Sequence, residues 1–100
     1  MNQQQPQDEI TTVKGGDYRE SYANSVQVRV TVWDFLLSFG TIRETAPGMG
    51  EISNFQGVFL SPQQAKALVN VLTQNVTQYE ATFGEIKLEQ HQPPPGKSIQ

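Results

Sequence analysis

The residues able to do chemistry in this chain are few and poorly gathered. His91 is the single histidine, and it lies in "EQHQPPPGKSIQ" beside three prolines. A general base has to be held within hydrogen-bond reach of the proton it takes, and such a segment offers no frame for that. There is no cysteine, and with one histidine and no thiolate a structural zinc site is excluded. None of the ten acidic residues falls in a D-x-D-x-D-G calcium loop. Asp34, next to Trp33 and ahead of an apolar run, is the most suggestive carboxylate. It reads either as a ligand-facing group or, preferably, as an Asx-type turn residue bonded to nearby backbone N–H groups. Gly48-Met49-Gly50 lacks the lysine of a phosphate-binding loop and does not lead into a helix, so a flexible hairpin loop is expected there. The expectation is a protein that is not an enzyme and has no cofactor and no metal.

Composition narrows the partners. One hundred residues make at most one domain. The net charge is -3 and the pI about 4.9. The seven basic residues are scattered and outnumbered, unlike the clustered Lys and Arg that neutralise phosphates, so nucleic-acid binding is not expected. No apolar run approaches the roughly 18 residues that mark a membrane span, and "MNQQQPQDEITT" has no signal-peptide character. A cytoplasmic protein without membrane attachment is expected. Asn75-Val76-Thr77 matches a glycosylation sequon only by chance on that reading.

Three segments are expected: a flexible Gln-rich tail over 1–17, a single α+β domain over 18–88, and a flexible Pro-rich tail over 89–100. "SVQVRVTV" alternates, with Val26, Val28, Val30 and Val32 on one side and Gln27, Arg29 and Thr31 on the other, the signature of a half-buried strand. "WDFLLSFGTI" follows in a changed phase, which predicts a turn or bulge at Trp33-Asp34. "RETAPGMG" reads as a loop on its Pro47-Gly48 pair, and "EISNFQGVFL" as a third strand with a bulge or close approach at Gly57. The fold class is an antiparallel three-stranded meander, with a short fourth strand over Ile10 to Val13 as an option, followed by one long C-terminal amphipathic helix.

That helix has the clearest boundaries. Ser61 is a good N-cap, Pro62 suits the first helical position, Gln64 completes a capping box, and Gly84 suits the left-handed terminating residue. Ala65, Leu68, Leu72, Val76, Tyr79 and Phe83 recur at three- and four-residue steps, with Val69 widening the stripe. Laid across the sheet, the helix is about 33 Å long, whereas three strands are only about 15 Å wide. Tyr79 and Phe83 therefore overhang, and two aromatics are costly to leave wet. Leu36 and Leu60, out of phase with Phe35 and Phe59, place apolar surface on both sheet faces. Cover from a second copy, or from "DYRESYAN" folded back, is expected. A homodimer or higher homo-oligomer follows, with Tyr22, Trp33, Leu36, Leu72, Val76, Tyr79 and Phe83 assigned to self-association or partner binding.

"YAN" (Tyr22 to Asn24), "DFLLSFG" (Asp34 to Gly40), "LSPQQAKAL" (Leu60 to Leu68) and "YEATFGEI" (Tyr79 to Ile86) together resemble a small prokaryotic family, domain of unknown function 3467. Asp34 stands where that family's pattern leads one to expect glutamate. The resemblance implies one compact unit and no activity, cofactor or catalytic residue. Two functions stay open: a non-enzymatic interaction or structural module that self-associates, or a chaperone-like protein that binds extended apolar peptide segments. The second has a loose fold-level analogy in export chaperones of the SecB type.

Overall fold

The computed structural model describes residues 9–88. Three strands and a helix follow one another: β1 (Ser25–Val30), β2 (Phe35–Ala46), β3 (Met49–Leu60) and α1 (Pro62–Phe83). The sheet is antiparallel in the order β1-β2-β3, so the α+β meander with a C-terminal helix is the architecture observed. Residues Ile10 to Val13 form no strand. The tail expected over 89–100, His91 included, lies outside the described residues, as do residues 1–8 of the tail expected over 1–17.

β1 pairs only with the first half of β2, from Ser25↔Gly40 to Val30↔Phe35. Its end is fixed by Thr31, whose backbone N–H donates to the Asp34 carbonyl at 2.9 Å. The Thr31 hydroxyl accepts the N–H groups of Trp33 (3.0 Å) and Asp34 (3.1 Å) and donates to the Asp34 carboxylate at 3.0 Å. Asp34 is thus a turn residue, but the oxygen that holds the backbone N–H groups belongs to threonine. At the other end Asn24 continues the edge by imitation: its N–H donates to Gly40 O (3.1 Å), and its side-chain oxygen accepts the N–H of Ile42 at 2.8 Å.

β2 and β3 are longer than the sequence reading allowed. They run to Ala46 and from Met49, which pair across a two-residue turn. Pro47 pre-sets the first turn residue, and Gly48 takes φ +76, the positive angle a type II turn demands at its third position. The expected loop over "RETAPGMG" is therefore a tight hairpin, closed further by Arg43 and Glu51, a directly opposed pair at 3.8 Å. Both side chains are exposed, so the pair contributes little.

The irregularity expected at Gly57 lies instead opposite Gly40. Phe39 pairs with Gln56 and Gly40 with Asn54, leaving Phe55 as the extra residue of a β-bulge. Gly57 is a close approach only, since a Cβ there would meet the end of the Leu36 side chain at 3.3 Å. Gly40 has no such latitude: a Cβ would lie 2.5 Å from both the Ser53 carbonyl and the Asn54 side-chain oxygen. The gap has a use. Asn54 on β3 reaches over the central strand to donate to Gln27 on β1 at 3.1 Å, and Gly40 is the low point it passes above.

α1 starts without a linker, one residue after β3. Ser61, extended at φ -64 and ψ 157, accepts the Gln64 N–H on its hydroxyl at 3.1 Å, and Pro62 follows, as the cap signals predicted. Gly84 ends the helix at φ 110 but ψ 167, an extended glycine-only conformation and not the left-handed one expected. Its N–H returns to Glu80 O at 3.0 Å, and the Glu80 carboxylate accepts the N–H of Ile86 at 3.0 Å.

Two substitutions test this reading at fixed protomer concentration. Gly40→Ala should lower unfolding free energy by about 2–3 kcal/mol in a denaturant titration, because backbone has to move, whereas Gly57→Ala, opposed only by a side-chain tip, should lose less than about 1 kcal/mol. Ser61→Ala should cost about 1 kcal/mol through the lost cap.

Candidate interaction surfaces

Among the described residues, Ala65, at 9% exposure, is the single buried apolar side chain. Folded domains of this size ordinarily bury most of their Ile, Val, Leu and Phe residues. Here α1 meets the sheet mainly at β3, with Ala65 buried and Leu68 half-buried. It does not lie across the meander as the amphipathic pattern led one to expect.

The consequences fall on two surfaces. Along α1, Leu72, Val76, Tyr79 and Phe83 stay exposed, Phe83 at 72%. The Tyr79 and Phe83 rings meet each other with centroids 4.9 Å apart and planes tilted by 48°, one turn from the helix end. That contact leaves both rings and the rest of the stripe exposed.

The second surface follows from the register. Direct cross-strand partners share a face, so Val26, Val28 and Val30 stand in rows with Phe39, Leu37 and Phe35, and beyond these with Gln56, Val58 and Leu60. Eight of these nine are apolar, and β-branched valine fits the edge-strand positions well. The row after Phe39 and Gln56 is Thr41 with Ser53, and the next is the Arg43–Glu51 pair, so polar groups end the patch. The opposite face carries Gln27, Arg29, Ser38 and Gly57, with Leu36 beside Phe59. Phe35 therefore pairs with Leu60, and Leu36 with Phe59; the sequence alone left that pairing undetermined.

The remaining residues assigned to partner binding are dispersed. Trp33, 81% exposed, is at the tip of the β1–β2 turn. Leu36 is on the sheet face away from the valines. Tyr22 is 77% exposed in the chain before β1. That approach also carries Ile10, Val13 and Tyr18, all exposed. It holds a turn in which the Tyr18 N–H donates to Gly15 O at 3.1 Å and Lys14 Nζ sits 5.1 Å from the Tyr18 ring centre.

The valine face escaped sequence-based assignment because its alternation reads equally well as a surface covered by the chain's own helix. Among the described residues no three His, Cys, Asp or Glu side chains converge as metal ligands would. An open hollow of about 560 Å³ by the β2–β3 hairpin is lined by Ile42, Arg43, Glu44, Gly48, Met49 and Gly50. No described helix is long and apolar enough to cross a membrane.

Together these features define a small α+β protein whose prominent surfaces are apolar and whose helix is only partly attached to its sheet. The chain belongs to the DUF3467 family of proteins of unknown function, whose family model matches residues 1–88. The match takes in the segment before β1 as well as the sheet and helix. No curated protein and no solved structure matches the chain.

The acidity of Tyr18 tests the arm geometry. Its hydroxyl donates to the Glu20 carboxylate, and that bond, with a smaller contribution from desolvation, raises its pKa above 10.0. The contact is present below the ordinary phenol value and is lost as pH rises through the raised one. NMR titration should show Tyr18 ionising later than in Glu20→Ala, where it should return toward the ordinary value.

Proposed function

We propose that this protein is a non-enzymatic interaction or structural module that works as a homodimer or higher homo-oligomer. One observation carries the reading: the described chain buries no large apolar side chain of its own, with Ala65 the whole of its apolar interior. Hydrophobic burial is the main favourable term in folding, at about 25 cal/mol per Å², and a chain of this length without a core has little to set against conformational entropy. Neither a disulfide nor a metal cluster among the described residues substitutes for it. Burial against a second copy does, and for such obligate dimers folding and association are one equilibrium.

The open outer edge of β3, twelve residues long, together with the adjacent valine face, favours a second reading: a chaperone-like protein that takes extended apolar peptide segments by strand addition. Excess protein should then suppress aggregation of an unfolded reporter. No suppression removes that reading and leaves the first intact.

For the first reading, sedimentation at micromolar concentration should give a dimer or larger species. The melting temperature should climb with protomer concentration. Tyr79→Asp removes an aromatic burial and introduces a charge, together at least about 3 kcal/mol, so the dissociation constant should rise by a hundredfold or more. A wild-type chain that sediments as a monomer, with a concentration-independent melt, would refute self-association.

A further inference from the structure

Resting on that reading, we propose how the two copies fit: the α1 helix of each protomer, from Leu72 to Phe83, lies on the valine face of the other's sheet, reciprocally about a two-fold axis. Four observations support the exchange.

The first is that both surfaces are vacant in the same chain. α1 meets its own sheet mainly at β3, with Ala65 buried and Leu68 half-buried, while Val26, Val28 and Val30 and the stripe residues Leu72, Val76, Tyr79 and Phe83 all stay exposed.

The second is size. Leu72 to Phe83 covers about 17 Å at 1.5 Å per residue. The patch from Val26 to Val30 is about 14 Å along the strand and about 10 Å across three strands, and a helix with its side chains is about 10–12 Å wide. One helix fills the patch.

The third is polarity. The patch stops at Thr41, Ser53 and the Arg43–Glu51 pair, and within it Gln56 is the lone polar member. The stripe on α1 is likewise free of charge from Leu72 to Phe83, save Glu80 on its flank, which is occupied with the Ile86 N–H. Neither surface has to desolvate an ion.

The fourth is area. Val26, Val28, Val30 and Val58 with Leu72, Val76, Tyr79 and Phe83 have between 37% and 72% of their surface open. At about 150–230 Å² for each fully exposed residue, one contact holds roughly 700 Å² and the reciprocal pair about 1,400 Å², inside the range of about 1,200–2,000 Å² for stable complexes. Because the two-fold makes the contact isologous, the exchange leaves neither surface over. Helix-on-helix or β3-edge pairing leaves the valine face wet.

The absence of native cysteine makes cross-linking unambiguous. Chains carrying Val28→Cys are unfolded, mixed in turn with Leu72→Cys, Val76→Cys or Tyr79→Cys chains, refolded and oxidised. A disulfide-linked dimer in at least one mixture, approaching half the chains and absent when either variant is oxidised alone, is expected. Helix variants that link among themselves, or a sedimentation dimer that links in no mixture, overturn the exchange while leaving self-association standing. Wild-type chains that stay monomeric overturn both. As a second readout, Val28→Lys chains should lose at least about tenfold and Tyr79→Asp chains at least about a hundredfold in dimer affinity, and mixing the two should recover association. No recovery, with the far-UV spectrum of each unchanged, counts against the exchange.

Discussion

Everything in this structure answers to one constraint: α1 begins one residue after β3 ends. Ser61, the single residue between them, is the cap of the helix. With no loop between them, the direction of the last strand constrains where the helix can lie, and α1 meets the sheet mainly at β3. An amphipathic helix of twenty-two residues is thereby held out with most of its apolar stripe unspent. Had a longer connection followed Leu60, the same stripe and the valine face could have closed on each other within one chain. Topology, as well as composition, leaves this apolar surface exposed.

The sheet is arranged around the same requirement of keeping one face uninterrupted. The bulge at Phe55 and the bare backbone of Gly40 gather polar groups on the other face, where Asn54 and Gln27 join hands across the central strand. The valine side needs no such bridging. Thr31 and Asn24 do comparable work at the two ends of β1, each using a side-chain oxygen to satisfy a backbone N–H where the ladder stops. These are small, local devices, and they set the register on which the apolar rows depend.

How much of this was written plainly in the chain follows from the range of each signal. The strand carrying Val26, Val28 and Val30 and the Ser61-Pro62 start are local patterns and both form, but the valines are exposed where the alternation predicted a half-buried strand, and Val32 lies in the bend beyond β1. The hairpin and its Pro47-Gly48 turn were legible, but the length of its strands was not, because "RETAPGMG" is polar and those residues are held by pairing that no short window reports. Gly57 drew attention that belonged to Gly40, since a glycine's role depends on what passes over it, here an asparagine fourteen residues away in sequence. Of the surface, the stripe from Leu72 to Phe83 was legible from its spacing and the valine face was not. Periodicity says that a face will be covered and is silent on which chain covers it.

β1 ends its pairing at Gly40 while β2 and β3 continue to Ala46 and Met49. Past Asn24 the sheet narrows to a two-stranded ribbon, bounded by a proline-glycine turn and far from the helix. Ribbons of two strands coil more tightly than broader sheets and have little standing of their own. The molecule thus has a graded rigidity, firm where three strands meet the helix and supple toward Pro47. Amide protons should exchange with solvent first at that tip and last beside Leu37, as if the sheet unzipped from its narrow end.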